Sequence, residues 1–146
     1  MSQHTESDCS SFRDHLVVPN RREDIDRFEK GFAEAISGMA YDKASCFAVR
    51  LAVEECLENA FFHGNGEQPQ KTITIDYSVD ERVVTIEILD EGKGFDPEAV
   101  PDPTREENID IPSGRGLLLM RAYMTEVRIE PPGNRVRMVF EKSGDS

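Results

Sequence analysis

The chain has 146 residues, 38% hydrophobic and 32% charged, with a formal net charge of −12 at pH 7. One domain of this length buries about two-thirds of the surface its unfolded chain exposes, and no second domain fits beside it. The acidic balance excludes sequence-independent nucleic-acid binding, which needs clustered Lys and Arg, and no apolar run nears the roughly 20 residues of a membrane span, so a soluble, cytoplasmic protein with neither partner is expected.

In chain order, residues 1–11 are polar and have little to bury, which predicts a flexible segment ahead of a domain over 12–141, with 142–146 as a short tail. Phe12 to Val18 alternates, with Phe12, Asp14, Leu16 and Val18 on one side, and reads as a short strand closed by Pro19. Asn20 stands where an N-cap would, with Glu23 at the capping-box position. Ile25, Phe28, Phe32 and Ile36 then recur at helical spacing as far as Gly38. A second helix is predicted from just after Asp42 to about His63, where Gly64, Asn65 and Gly66 stop it. Its apolar ridge is Val49, Val53, Leu57 and Ala60, and Arg50, Glu54 and Glu58 form a solvated stripe able to pair at i,i+4 spacing. With Cys9, the cysteines number three and lack metal-ligand spacing, so Cys46 and Cys56 are read as small core residues.

Lys71 to Val79 alternates Ile73, Ile75, Tyr77 and Val79 against polar residues and predicts a half-buried strand. Asp80 and Glu81 reverse the chain, and Arg82 to Leu89 returns with Val84, Ile86 and Ile88 inward and Asp90 at its end. Asp96 to Pro112 is rich in Pro, Asp and Glu, has no sustained period, and has the length of a ligand lid. Gly114 to Met124 predicts a third helix with Leu117, Leu118 and Met120 available to the core. Glu126 to Glu130 and Arg135 to Glu141 pair as a hairpin around Pro131 to Asn134. The predicted class is α+β, a two-layer α/β sandwich with about three helices on a mixed, mainly antiparallel sheet.

Two glycine-punctuated stretches, Asp90-Glu-Gly-Lys-Gly-Phe95 and Ser113-Gly-Arg-Gly-Leu117, follow a helix that carries Glu55 and Asn59 four residues apart. Together they read as an ATP site. Ala48, Ala52, Glu55 and Asn59 share one helical stripe whose small residues allow close approach, which singles out Glu55 over Glu54 and Glu58 as the working carboxylate. Gly92 and Gly94 leave room for a ligand against the backbone. Gly114 and Gly116 precede a helix start, where N–H groups face phosphates. The amide oxygen of Asn59 suits Mg²⁺, which prefers oxygen ligands and keeps water and phosphate oxygens around it.

The ordered set Glu55-x-x-x-Asn59, Asp90-x-Gly92-x-Gly94-Phe95 and Gly114-x-Gly116-Leu117 resembles the N, G1 and G2 boxes of the GHKL ATPase superfamily, whose ATP-binding domain has the Bergerat fold. The strings Glu55 to His63 and Gly116 to Val127 resemble, within it, the anti-sigma-factor serine/threonine protein kinases of bacteria, and the likeness runs from about Leu16 to Phe140. The resemblance implies that Glu55 is the general base, Asn59 the Mg²⁺ ligand and Asp90 the acceptor of the adenine amino group. Phe95 and Leu117, which close the two boxes, join the nucleotide-site residues. It further implies ATP/ADP and Mg²⁺ as cofactors. The implied partners are a sigma factor, a STAS-domain anti-anti-sigma factor as phosphorylated substrate, and a homodimer mate.

Several family kinases carry a basic residue just before the G2 glycines, whereas Pro112 and Ser113 stand there in this chain, leaving Arg115 or the lid's Arg105 to replace that contact. His63 is read either as an ordering group near the phosphates or as a helix-end cap. Because the lid is mostly acidic, a nucleotide-binding module that sequesters a regulator without phosphotransfer stands as the alternative. A detached histidine-kinase-like ATPase domain is a third reading, and it needs an accepting histidine elsewhere.

Overall fold

Alternation along the strands decides which face of the sheet is dry. The computed structural model of the chain describes residues 11–39, 41–93, 114–131 and 133–142. Strand β1 (Ser11–Pro19) pairs with β2 (Thr72–Asp80), β2 with β3 (Val83–Leu89), β3 with β5 (Arg135–Glu141), and β5 with β4 (Glu126–Glu130), giving the order β1-β2-β3-β5-β4. All four pairings are antiparallel, so the mainly antiparallel sheet predicted from the sequence has no parallel pair among the described residues. The register stacks apolar residues in rows: Leu16, Ile75, Ile88 and Val136 lie opposite one another, as do Tyr77, Ile86 and Met138. Ile73, Ile75, Val79, Val84, Ile86 and Met138 are fully buried on that face. Each such side chain contributes about 1.5–3 kcal/mol by leaving water.

Three helices cover the dry face: α1 (Arg22–Ser37), α2 (Lys43–Glu58) and α3 (Gly114–Tyr123). Helix α1 inserts Ile25, Phe28, Phe32 and Ile36, and the rings of Phe28 and Phe32 stand edge-on to Tyr77 of β2 at 5.7 and 5.1 Å. Its start differs from the sequence expectation. Arg21, with no side-chain cap bond, occupies the N-cap position, because the Asn20 amide is drawn inward to the Phe61 carbonyl and to Asn65.

Helix α2 begins as predicted, with Asp42 accepting the Ser45 N–H at 2.7 Å. Val49, Ala52, Val53, Cys56 and Leu57 are buried, while Cys46 is only half-buried. Glu58 pairs with Arg22 of α1 at 2.7 Å, so this end of the charged stripe is satisfied between helices. The helix does not stop at Glu58 but widens into a π-helical turn over Asn59–Gly64 that periodicity alone did not signal.

Helix α3 buries Leu117 and Met120, with Met124 just beyond it, whereas Leu118 is 69% exposed. That corrects the expectation for Leu118. Adjacent residues on a helix point about 100° apart, so a run of leucines cannot all face one layer.

Candidate nucleotide site

Helix α2 and the first residue of the π-helical turn that continues it place Glu55 and Asn59 four residues apart, both half-buried, on the side that meets α3. The small stripe below them is real: Ala52 is fully buried and Ala48 half-buried. Gly116, in the first turn of α3, closes the approach. A Cβ there would stand 2.9 Å from Oε1 of Glu55 and 3.8 Å from Nδ2 of Asn59. The first turn of α3, the positive end of its dipole, thus lies directly against the Glu/Asn pair.

Among the described residues no group of three or more His, Cys, Asp or Glu side chains could hold a metal. The amide oxygen of Asn59 is a donor of the kind Mg²⁺ takes beside phosphate oxygens and water, while the Asn59 atom nearest Gly116 is the amide Nδ2.

The other end of the site is built where the π-helical turn meets the end of β3. The turn closes with the Asn65 N–H on the Ala60 carbonyl at 2.8 Å, five residues back. It delivers Gly64 against Asp90 so closely that a Cβ on Gly64 would overlap the Asp90 carboxylate. Gly92 in turn lies on the main chain of Gly64, and a Cβ on Gly92 would overlap the Gly64 carbonyl group. Here the absence of a side chain is a requirement of packing. Oδ1 of Asp90 accepts the Gly92 N–H at 2.7 Å. Burial pushes the Asp90 carboxyl up to about 6, against the opposing pull of the Gly92 N–H and the Lys71 charge. Cys56 lies beneath, and burial, reinforced by the Asp90 charge, raises its thiol well above the ordinary range, so it packs as a neutral group.

The structure thus gathers Glu55, Asn59 and Gly116 at one end and Asp90 and Gly92 at the other. His63 stands edge-on to Phe62, and its Nδ1 is buried without a hydrogen-bond partner among the described residues, so it caps no carbonyl through that nitrogen. Leu117 turns into the core beside Met120. Gly114 begins α3. Gly94, Phe95 and Arg105 lie outside the described residues, as do the Asp96–Pro112 stretch and the side chain of Arg115.

Sequence reasoning missed four residues around Asp90: Gly64, read only as a helix stop, and Asn20, Asn65 and Asn134, read as cap or turn residues. Asn20 and Asn65 are 1% and 0% exposed. The Asn65 amide donates to Oδ1 of Asn20 and to the Thr72 carbonyl, both at 3.0 Å. The available signal was an asparagine between two glycines, which marks a turn as readily as a buried polar group.

Frame and constellation together are those of an ATPase domain of the two-layer α+β kind. The family model described as a histidine kinase-like ATPase domain matches residues 18–140. The chain belongs to that family. Its relatives include the protein called anti-sigma F factor of Clostridium acetobutylicum, 31% identical over 97 residues that cover 64% of this chain and 67% of that one. The anti-sigma F factor of Clostridium botulinum (strain Eklund 17B / Type B) is 35% identical over 95 residues, 62% of this chain and 66% of its own length. The matched stretch thus spans about two-thirds of these relatives. The crystal structure of the RsbU and RsbW domains of a Mycobacterium tuberculosis protein superposes with a TM-score of 0.60 at 15% identity, covering 88% of this chain and 31% of that one, which shows the shared fold. No helix among the described residues is long and apolar enough to cross a membrane.

Proposed function

We propose that this protein is an ATP-dependent serine/threonine protein kinase that acts as an anti-sigma factor, holding a sigma factor and phosphorylating a STAS-type anti-anti-sigma antagonist. The observation that supports the reading is the closeness of Gly116 to Glu55 and Asn59, which brings a helix start near a carboxylate and a side-chain amide whose Nδ2 is the nearer atom. The relatives called anti-sigma F factors supply the regulatory context.

In this reading Asp90 accepts a hydrogen bond from the adenine amino group, and the N–H groups at the start of α3 hold phosphate oxygens. Glu55 takes the proton from a serine or threonine hydroxyl as that oxygen forms its bond to the γ-phosphorus; the bond from the γ-phosphorus to the bridging oxygen breaks, and ADP leaves. Asn59 would hold Mg²⁺, whose positive charge would offset that of the phosphates. The net charge of −12 suits a basic segment of the sigma factor.

The test is transfer of labelled γ-phosphate from ATP to a purified STAS-domain protein from the same genome. Acid-stable phosphoserine or phosphothreonine on that protein, lost in Glu55→Ala, is the expected result. Tight partner binding with no transfer would replace the kinase with a sequestering module, the reading that the acidic stretch between the two glycine boxes favours.

A further inference from the structure

The three residues that carry the Asp90 carboxylate are held from two sides by asparagine amides. On one side Oδ1 of Asn65 accepts the Glu91 N–H at 2.8 Å, while the same amide is anchored to Asn20 and to the Thr72 carbonyl. Thr72 returns the hold, donating its N–H and hydroxyl to the Glu91 carboxylate at 2.8 and 2.9 Å. On the other side, 44 residues along the chain, Asn134 accepts the Asp90 N–H at its carbonyl, at 3.0 Å. Its side-chain amide donates to the Asp90 carbonyl at 3.0 Å and the Gly92 carbonyl at 3.4 Å. With the Gly92 N–H on Oδ1 of Asp90, the N–H and carbonyl of Asp90, the N–H of Glu91 and the N–H and carbonyl of Gly92 are all engaged.

This is more restraint than a strand end needs. Strand β3 ends at Leu89, one further main-chain bond joins the Asp90 N–H to the Asn134 carbonyl, and side-chain amides hold the rest of the turn. The consequence falls on the carboxylate. Oδ1 is committed to Gly92, and among the described residues Oδ2 is the oxygen left to accept from a ligand. A hydrogen bond weakens steeply as its angle closes, so where the turn stands decides how well Oδ2 meets an amino group.

We infer that Asn65 and Asn134 are positioning residues for base selection, a two-sided amide clamp that fixes Oδ2 of Asp90 where it accepts from the amino group of adenine and repels the carbonyl oxygen of guanine. The inference rests on the ATP reading of this site and deepens it. Selection between the bases is a difference of affinities, and a rigid acceptor enlarges both its parts: a well-aligned bond to the right base and an unrelieved clash with the wrong one. A loosened turn gives up the first and relaxes the second.

The test is calorimetric titration of the full chain with ATP and with GTP, in Mg²⁺, for wild type, Asn134→Ala, Asn134→Asp and Asn65→Ala. Asn65 is fully buried, so its truncation endangers folding. Asn134 is half-buried in the turn before β5, and its variants decide the matter. Asn134→Asp keeps the size of the side chain but cannot donate to the two carbonyls. The expected result is about a tenfold loss of ATP affinity in both Asn134 variants, the scale of one hydrogen bond, with GTP affinity changing less, so that the ATP-to-GTP preference falls. A purely structural role would weaken both nucleotides in proportion and leave that ratio alone. Folded Asn134 variants that retain the wild-type ratio would overturn the clamp while leaving the ATP site standing. Wild type that binds neither nucleotide, or both equally, would overturn the ATP reading and the clamp with it.

Discussion

The two ends of the candidate site are made by different means. Around Asp90 the chain is pinned: Gly64 and Gly92 pack main chain against main chain, and amides from both sides hold the turn. Around Glu55 and Asn59 two packed helices meet with Gly116 as the point of close approach, and the two candidate side chains stay half-buried. Selecting a flat base calls for fixed acceptors in a dry frame, whereas moving a proton calls for groups that solvent and substrate can reach. The difference is one of what each residue can yield to.

The sharpest way to break that contrast is to add one methyl group at each end. Gly92→Ala drives a Cβ into the Gly64 carbonyl, where only backbone could give way, and should cost about 3 kcal/mol or more in urea unfolding. Gly116→Ala meets the flexible end of Glu55 and should cost under about 1 kcal/mol while cutting phosphate transfer at least about tenfold. Equal stability losses would erase the difference between a pinned end and a yielding one. Next in size, Glu55→Ala should lower transfer by about 10²–10⁴-fold, the range of general-base catalysis, with ATP affinity measured by calorimetry kept within about threefold.

Acidity sharpens the comparison further. The Asp90 carboxyl is raised to about 6 in the folded chain, chiefly by burial, so between its ordinary pKa and about 6 the native state binds more protons than the unfolded one. Stability of the free chain from this group is therefore full below about pH 4 and is lost as pH rises through about 6. If Asp90 accepts from the base as proposed, nucleotide affinity should move the opposite way, because the ionised form is the better acceptor. ATP binding should weaken below about pH 6 in wild type and stay flat in Asp90→Asn. Glu29, on the outer side of the helices, is raised to about 7 by burial and by the charges of Glu54 and Asp26. Glu29→Gln should stabilise the chain at pH 8, read by urea unfolding, with the gain fading toward pH 5, and should leave nucleotide binding unchanged. The smallest effect belongs to Leu118→Ser, expected within about 0.5 kcal/mol because that side chain already faces water.

Much of this frame is legible in the sequence, for reasons that name its blind spots. Strands β2 and β3 announce themselves because a period of two survives through Ile73–Val79 and Val84–Ile88, and Asp90 follows from where β3 must end. Glu55 and Asn59 are legible as motif residues set on a stripe of small side chains, and Gly116 as a motif glycine beside a helix start. Asn20 misleads because a cap and a buried amide use the same residue type in the same place, just ahead of a helix. Asn134 is invisible as a site residue because its partners lie 44 and 42 positions away, beyond any local pattern. Leu118 is misplaced when composition overrules helical phase.

The π-helical turn at Asn59–Gly64 makes segment length itself a quantity the site depends on. Deleting any one residue between Asn59 and Gly64 would rewind the turn toward ordinary pitch and swing the chain beyond it by about 100°. A side chain would then stand where Gly64 now admits Asp90. Most connections between a helix and a strand absorb insertions and deletions across evolution. In this one the register sets how Gly64 packs against Asp90, and its residues should be exchanged far more freely than their number is changed.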